Sequence, residues 1–272
     1  MSTTPRIHWR FTVEGGPGQP ALLDAERWLS SDERARLSAL RVEKRRRDWL
    51  LGRLNAKALL TGLIETATGG RPEPAEIEIA RHASGAPFVR LCPDARPTGP
   101  YEPGVRLPLV VSNTHSAGHA LFAAAWTDRA SPASFTLGVD LEWVEPRSAG
   151  FIRDFLTPIE RRYCEREDGA RRDLRANLVW SAKESVLKAV RRGLTADTYW
   201  LTCLPTAYAA ESEPDLVGSS PWLAWSDLEP PDPAWQGLAV GALDPRLGVD
   251  GLSFGGLWRT MDGFVATLVV GR

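Results

Sequence analysis

Apolar and polar positions alternate strictly through TLGVDLEW (136–143), where Leu137, Val139 and Leu141 are separated by Asp140 and Glu142. Period two predicts a strand and sends both carboxylates to the same face, side by side. The same alternation, bounded by turn residues, predicts strands at EIEIA (76–80), GAPFVRL (85–91), LPLVVSN (107–113) and HALFAAAW (119–126). GLSFGGLWR (251–259) and FVATLVV (264–270) flank Met261-Asp262-Gly263 and predict a hairpin. Helical spacing replaces alternation over residues 29–64, which predict one or two helices, with Ser30 and Glu33 as a capping box and Gly69-Gly70 as the stop. Thr157, Pro158 and Glu160 predict a capped helix start, and residues 174–194 predict a long helix ended by Gly193.

Strands and helices therefore alternate loosely on both sides of a polar break, TDRASPASF (127–135). The expected fold class is α+β, in two lobes covering residues 1–134 and 135–272. Residues 204–235 are rich in Pro and Ser and are expected to be irregular, apart from a short strand at WLAW (222–225).

Composition adds mostly exclusions. The formal net charge is −1 over 272 residues, so no global field favours nucleic acid or an anionic membrane, and any anion site must be local. The chain has no apolar run long enough to span a bilayer, and its start, MSTTPRIHWR, has no signal-peptide core. Cys92, Cys164 and Cys203 are odd in number and far apart, which predicts buried free thiols in a reducing cytoplasm. Walker, GxGxxG, HExxH, CxxC and GxSxG motifs are all missing.

Four stretches carry candidate chemistry. Asp140 and Glu142 form either a solvated strand face or part of a cation site. In WSAKESVLK (180–188), Glu184 and Lys188 share a helix face, either as a surface ion pair or as a third carboxylate and a phosphate contact. Three carboxylates suit Mg²⁺, which takes oxygen ligands and shares them with substrate phosphates. The basic run Lys44 to Arg47, followed by Arg53 and Lys57, fits a phosphate pocket or a solvated helix face. His115, in SNTHSAGHA (112–120), sits among hydroxyl residues at an expected strand end.

Together and in this order, these stretches resemble the 4′-phosphopantetheinyl transferase superfamily, in its larger, Sfp-like, pseudo-dimeric branch. The family's outline motifs, G-[VI]-D-x-E and W-[ST]-x-K-E-[AS]-x-x-K, are matched by Gly138 to Glu142 and by Trp180 to Lys188, with Thr157-Pro158 and Glu160 between them. The resemblance implies two similar α+β lobes with the active site in the crevice between them, where coenzyme A binds. It implies transfer of the phosphopantetheine arm to a serine of an acyl or peptidyl carrier protein, releasing adenosine 3′,5′-bisphosphate. Asp140, Glu142 and Glu184 would hold Mg²⁺, and Lys188 would contact phosphate. Thr114 and His115 would touch the nucleotide's phosphates, while Arg45, Arg47 or Arg53 would hold its 3′-phosphate. Glu184 is the preferred base for the serine, with Glu160 the competitor.

Two departures stand out. Where the family has Gly-Lys-Pro, this chain has Gly85-Ala86-Pro87, so a phosphate contact is lost or supplied by Arg81 or Arg90. Residues 204–251 are longer than this branch needs, and Trp222, Trp225 and Trp235 there are either core residues or anchors for a carrier. The expected protein is a cytoplasmic monomer serving polyketide or nonribosomal peptide assembly, with fatty-acid synthase service also open. The rivals are a non-catalytic coenzyme A- or carrier-binding homologue and a nucleic-acid binder using Lys44 to Arg47.

Overall fold

A computed structural model of the chain describes residues 5–16, 22–127, 135–212, 234–241, 244–249 and 251–272. Helices and strands are mixed throughout, and the described residues divide into two compact units, an N-terminal unit from residue 7 to 127 and a C-terminal unit from residue 135 onwards, to which residues 5 and 6 also belong rather than to the expected first lobe. Among the described residues, no helix is long and apolar enough to cross a membrane.

The N-terminal unit runs β1 (Ile7–Val13), α1 (Ser31–Ala39), α2 (Glu43–Thr68), β2 (Ile77–Arg81), β3 (Pro87–Leu91), β4 (Leu109–Ser116) and β5 (His119–Trp126). Its antiparallel strands form a β1-β5-β4 sheet and a β2-β3 hairpin. The capping box at Ser30 and Glu33 starts α1. Gly69, left-handed at φ 73°, ends α2, because a Cβ at that angle would be strained. The core gathers Leu60 and Ile64 of α2 with Ile77, Val89, Leu91, Leu109 and Phe122.

The C-terminal unit runs β6 (Thr136–Trp143), α3 (Ala149–Phe155), α4 (Pro158–Glu165), α5 (Gly169–Ala189), β7 (Thr202–Pro205), α6 (Thr206–Ser212), β8 (Gln236–Gly241), β9 (Phe254–Met261) and β10 (Phe264–Gly271). Its sheet has the order β6-β10-β9-β8-β7. The β9–β10 turn places Asp262 at φ 51° and Gly263 at φ 80°, the pair of left-handed residues that a two-residue hairpin turn requires.

The same buried ion pair recurs inside each unit. In the N-terminal unit the Lys57 ammonium of α2 lies 2.5 Å from the capping carboxylate Glu33 and donates to the carbonyls of Pro74 and Ile77 at 2.8 and 2.6 Å. Glu33 also accepts the backbone N–H of Ile79 at 3.2 Å. In the C-terminal unit Lys183 of α5 lies 2.8 Å from the capping carboxylate Glu160 and donates to Thr198 and Leu201 at 2.6 and 3.0 Å. Glu160 also accepts from Cys203 N at 2.8 Å. Both lysines are fully buried. Burial pushes the Lys57 amine down and the Glu160 carboxyl up, and the opposite charge beside each resists.

Several expectations need correction. The segment expected to be irregular contains α6 and the end of β7, and the strands β1, β7 and β8 and the helix α3 were not anticipated. Helix α5 begins at Gly169, five residues before the apolar spacing shows it, and ends at Ala189, ahead of Gly193. Trp235 is buried and serves the core, while Trp222, Trp225 and the WLAW strand lie outside the described residues. All three cysteines are buried free thiols.

Replacing Lys183 by Met strands the Glu160 carboxylate in the core. It should cost about 3–5 kcal/mol of stability in urea titration, because the remaining charge is uncompensated. A loss below about 1 kcal/mol would show that the pair does not hold the unit together.

Candidate functional site

The acidic site of the C-terminal unit is built by the approach of α5 to β6. A Cβ on Gly138 would fall 1.9 Å from the Ser185 carbonyl oxygen, so only glycine lets the helix backbone lie this close to the strand. A polar layer seals the contact, with Thr267 Oγ1 at 2.9 Å from Ser181 Oγ and 2.7 Å from Ser185 Oγ. Asp140 and Glu142 leave β6 on its α5 side. Of the two readings left open for this strand face, the solvated one fails: the face is roofed by a helix, and Asp140 is only 4% exposed.

Each carboxylate is held differently. Asp140 Oδ1 lies 2.6 Å from Lys188 Nζ, which also donates to Val139 O at 3.2 Å. Glu142 accepts from Trp180 Nε1 through Oε1 at 3.2 Å and from Arg147 through Oε2 at 3.0 Å. Glu184 Oε1 is buried with no hydrogen-bond partner. Burial, and then the charge of Asp140, push the Glu142 carboxyl up to about 7, against the pull of Arg147. The same two causes push Glu184 up, against Lys188. Asp140 thus acts on both neighbours. Among the described residues, no set of three or more His, Cys, Asp or Glu side chains forms a ready metal cage. Mg²⁺ does not need one, since it is usually held by one or two carboxylates with waters and substrate phosphates. The partnerless buried oxygen of Glu184 and the all-oxygen donor set fit a hard cation.

Glu160 is not part of this cluster. It is fully buried, and Thr157 N, Cys203 N and Lys183 occupy its oxygens. Its capping and ion-pair duties correct the expectation that it competes for the role of base.

The N-terminal unit carries a cationic cleft lined by Trp49, Arg53, Arg81, Asn113, His115 and Phe122. Gly52 faces the His115 ring, whose Cδ2 would be in ordinary contact, at 3.4 Å, with an added Cβ. Arg53 is 8% exposed, stacks over Trp49 at 4.8 Å, donates to Ile79 O at 2.9 Å and lies 3.6 Å from Glu33. Burial, with the charges of Arg81 and Arg36, pulls Arg53 down to about 10, although Glu33 opposes it. Arg81 is pulled down by burial and by Arg36. Guanidinium groups crowded in this way favour an anion.

The structure separates the candidate arginines. Arg53 lines the cleft, Arg45 is exposed on α2, and Arg47 is tied to Glu14 at 2.6 Å. Thr114 is buried beside His115 on β4. Of the two replacements considered for the missing lysine, Arg81 lines the cleft, whereas Arg90 pairs with Glu78 at 2.8 Å. Sequence reading missed Arg36, Trp49 and Arg147, because nothing in their local spacing separates them from ordinary helix or loop residues.

Residues 136–226, about a third of the chain, match the sequence model of the 4′-phosphopantetheinyl transferase superfamily. That stretch contains Asp140, Glu142, Arg147, Glu184 and Lys188. No curated protein sequence matches the chain. Among solved structures, a chain described as the Chronobacterium ammoniagenes ACPS-CoA complex is similar at 14% identity and a TM-score of 0.35, over 51% of this chain and 96% of that one.

A carboxyl raised to about 7 stays protonated in the fold where the unfolded chain, with an ordinary value of 4.5, is already ionised. The fold therefore loses stability as pH rises between those values. Glu142→Gln removes this dependence. In chelator, its stability relative to the native sequence should be higher at pH 8 than at pH 5 by urea titration. A difference independent of pH would contradict the assignment.

Proposed function

We propose that the protein is a phosphopantetheinyl transferase that moves the phosphopantetheine arm of coenzyme A onto a serine of an apo carrier protein. The observation that carries this reading is the carboxylate group Asp140, Glu142 and Glu184, gathered under α5 beside Lys188 within the stretch matched by the superfamily. The Sfp-like branch, with its two similar lobes, is supported by the buried lysine–carboxylate pair that recurs in each unit. Polyketide or nonribosomal peptide carriers are the favoured substrates within this proposal, and the cytoplasm its setting.

In this reading Asp140, Glu142 and Glu184 hold Mg²⁺, which when bound offsets the negative charge that builds on the diphosphate during attack. The serine Oγ forms a bond to the phosphorus that bears the pantetheine arm. The bond from that phosphorus to the bridging oxygen breaks, and adenosine 3′,5′-bisphosphate leaves. Glu184 takes the serine proton as the general base. Lys188 supplies an ammonium to a phosphate oxygen. The cleft of Arg53, Arg81 and His115 takes the nucleotide's 3′-phosphate, with Arg81 standing in for the lysine replaced by Ala86.

Incubating the protein with coenzyme A, Mg²⁺ and a panel of apo carriers should add one phosphopantetheine mass to at least one carrier. Asp140→Ala and Glu184→Ala should each lower the rate by about 100-fold or more while melting as folded proteins. Coenzyme A binding without any carrier gaining mass would favour the non-catalytic homologue. Normal turnover in either variant would defeat the assignment of the site.

A further inference from the structure

We propose that Arg147 is a positioning residue for the acidic site, fixing the Glu142 carboxylate in the orientation that receives the cation. This rests on the reading of the site given above. Arg147 lies in the loop after β6, and its side chain is 15% exposed. Its three guanidinium nitrogens are all engaged. Nη2 donates to Glu142 Oε2 at 3.0 Å, Nη1 pairs with Glu145 Oε1 at 3.0 Å, and Nε donates to Asn177 Oδ1 at 2.7 Å. The group also lies over the Phe151 ring at 4.8 Å, and the Arg147 backbone N–H donates to Asp173 Oδ1 at 3.3 Å. Asn177 is itself fixed, since its amide donates to Glu145 O and Asp173 O at 2.7 and 2.8 Å.

A guanidinium tied at this many points cannot follow Glu142; Glu142 must conform to it. Trp180 Nε1 holds the other oxygen at 3.2 Å, so the carboxylate is fixed by one donor on each oxygen. An ionised carboxylate offers about four acceptor directions, and two donors leave the others for a cation. Outer contacts of this kind orient ligands, and their loss typically weakens metal binding 10- to 100-fold. A planar fork does this where an ammonium on a flexible stem does not. A loop tie with no other duty would make the same contacts to Asn177 and Phe151, so the test must read cation affinity rather than stability.

The probe is Mn²⁺, titrated into the full chain with coenzyme A present and followed by the electron spin resonance of the free ion. Arg147→Ala and the charge-conserving Arg147→Lys should both weaken Mn²⁺ binding about tenfold. Coenzyme A affinity without metal should not change. If the native protein binds no Mn²⁺, the underlying reading of the site fails. If it binds and both variants bind as tightly or more tightly, the role of Arg147 is overturned. Native affinity in Arg147→Lys alone also overturns it, because charge without the fork would then suffice. Should Arg147→Ala fail to fold, the lysine variant decides.

Discussion

A fully buried ammonium, held by a capping carboxylate and two backbone carbonyls, fixes the rotation of the long helix in each unit. Neither charge would be tolerable alone at that depth, so helix, cap and the following strand must assemble together. In the C-terminal unit, Lys183 immediately precedes Glu184 and stands five residues before Lys188, so the clamp sets the phase that turns both toward β6. Gly138 then lets the helix approach closely enough for Lys188 to reach Asp140. In the N-terminal unit, Arg53 stands four residues before Lys57 and is turned toward the cleft by the same phase.

The two ion pairs thus stand beside opposite chemistry. Val179 stands four residues before Lys183, where the other helix has Arg53. Ala58 and Gly62 follow Lys57 where Glu184 and Lys188 follow Lys183. A chain with a net charge of −1 can therefore hold a carboxylate site whose protons bind too tightly and a guanidinium cleft whose protons bind too loosely. Each imbalance marks a place where a ligand of the opposite charge lowers the free energy.

Much of this was legible in the chain. Alternation gave β5 and β6 with their bounds, the capping boxes of α1 and α4 showed in Ser30–Glu33 and Thr157–Glu160, and the two motifs meet where Lys188 reaches Asp140 and Trp180 reaches Glu142. What sequence could not separate was two uses of one residue type. Glu160 and Glu184 are both acids on helices, yet one is a buried cap and the other a half-buried acid with a partnerless oxygen. Lys57 belonged to a basic run, yet it is wholly buried, because only the tertiary fold brings Glu33 and two carbonyls to it. Arg147 was invisible because its partners Glu142 and Asn177 come from separate elements. The strand β8 follows a Pro- and Ser-rich stretch that gave no periodic signal, and Gly237 and Gly241 further weaken its apolar pattern.

The central claim is that a divalent cation sits against Asp140 with its neighbouring glutamates. Crystals grown with Mn²⁺ and coenzyme A, measured for anomalous scattering, test it most directly. The account predicts a peak at about 2 Å from oxygens of Asp140, Glu142 and Glu184, with Lys188 released from Asp140 toward a phosphate. A peak elsewhere, or bound coenzyme A with Lys188 still on Asp140 and no metal beside it, would contradict it.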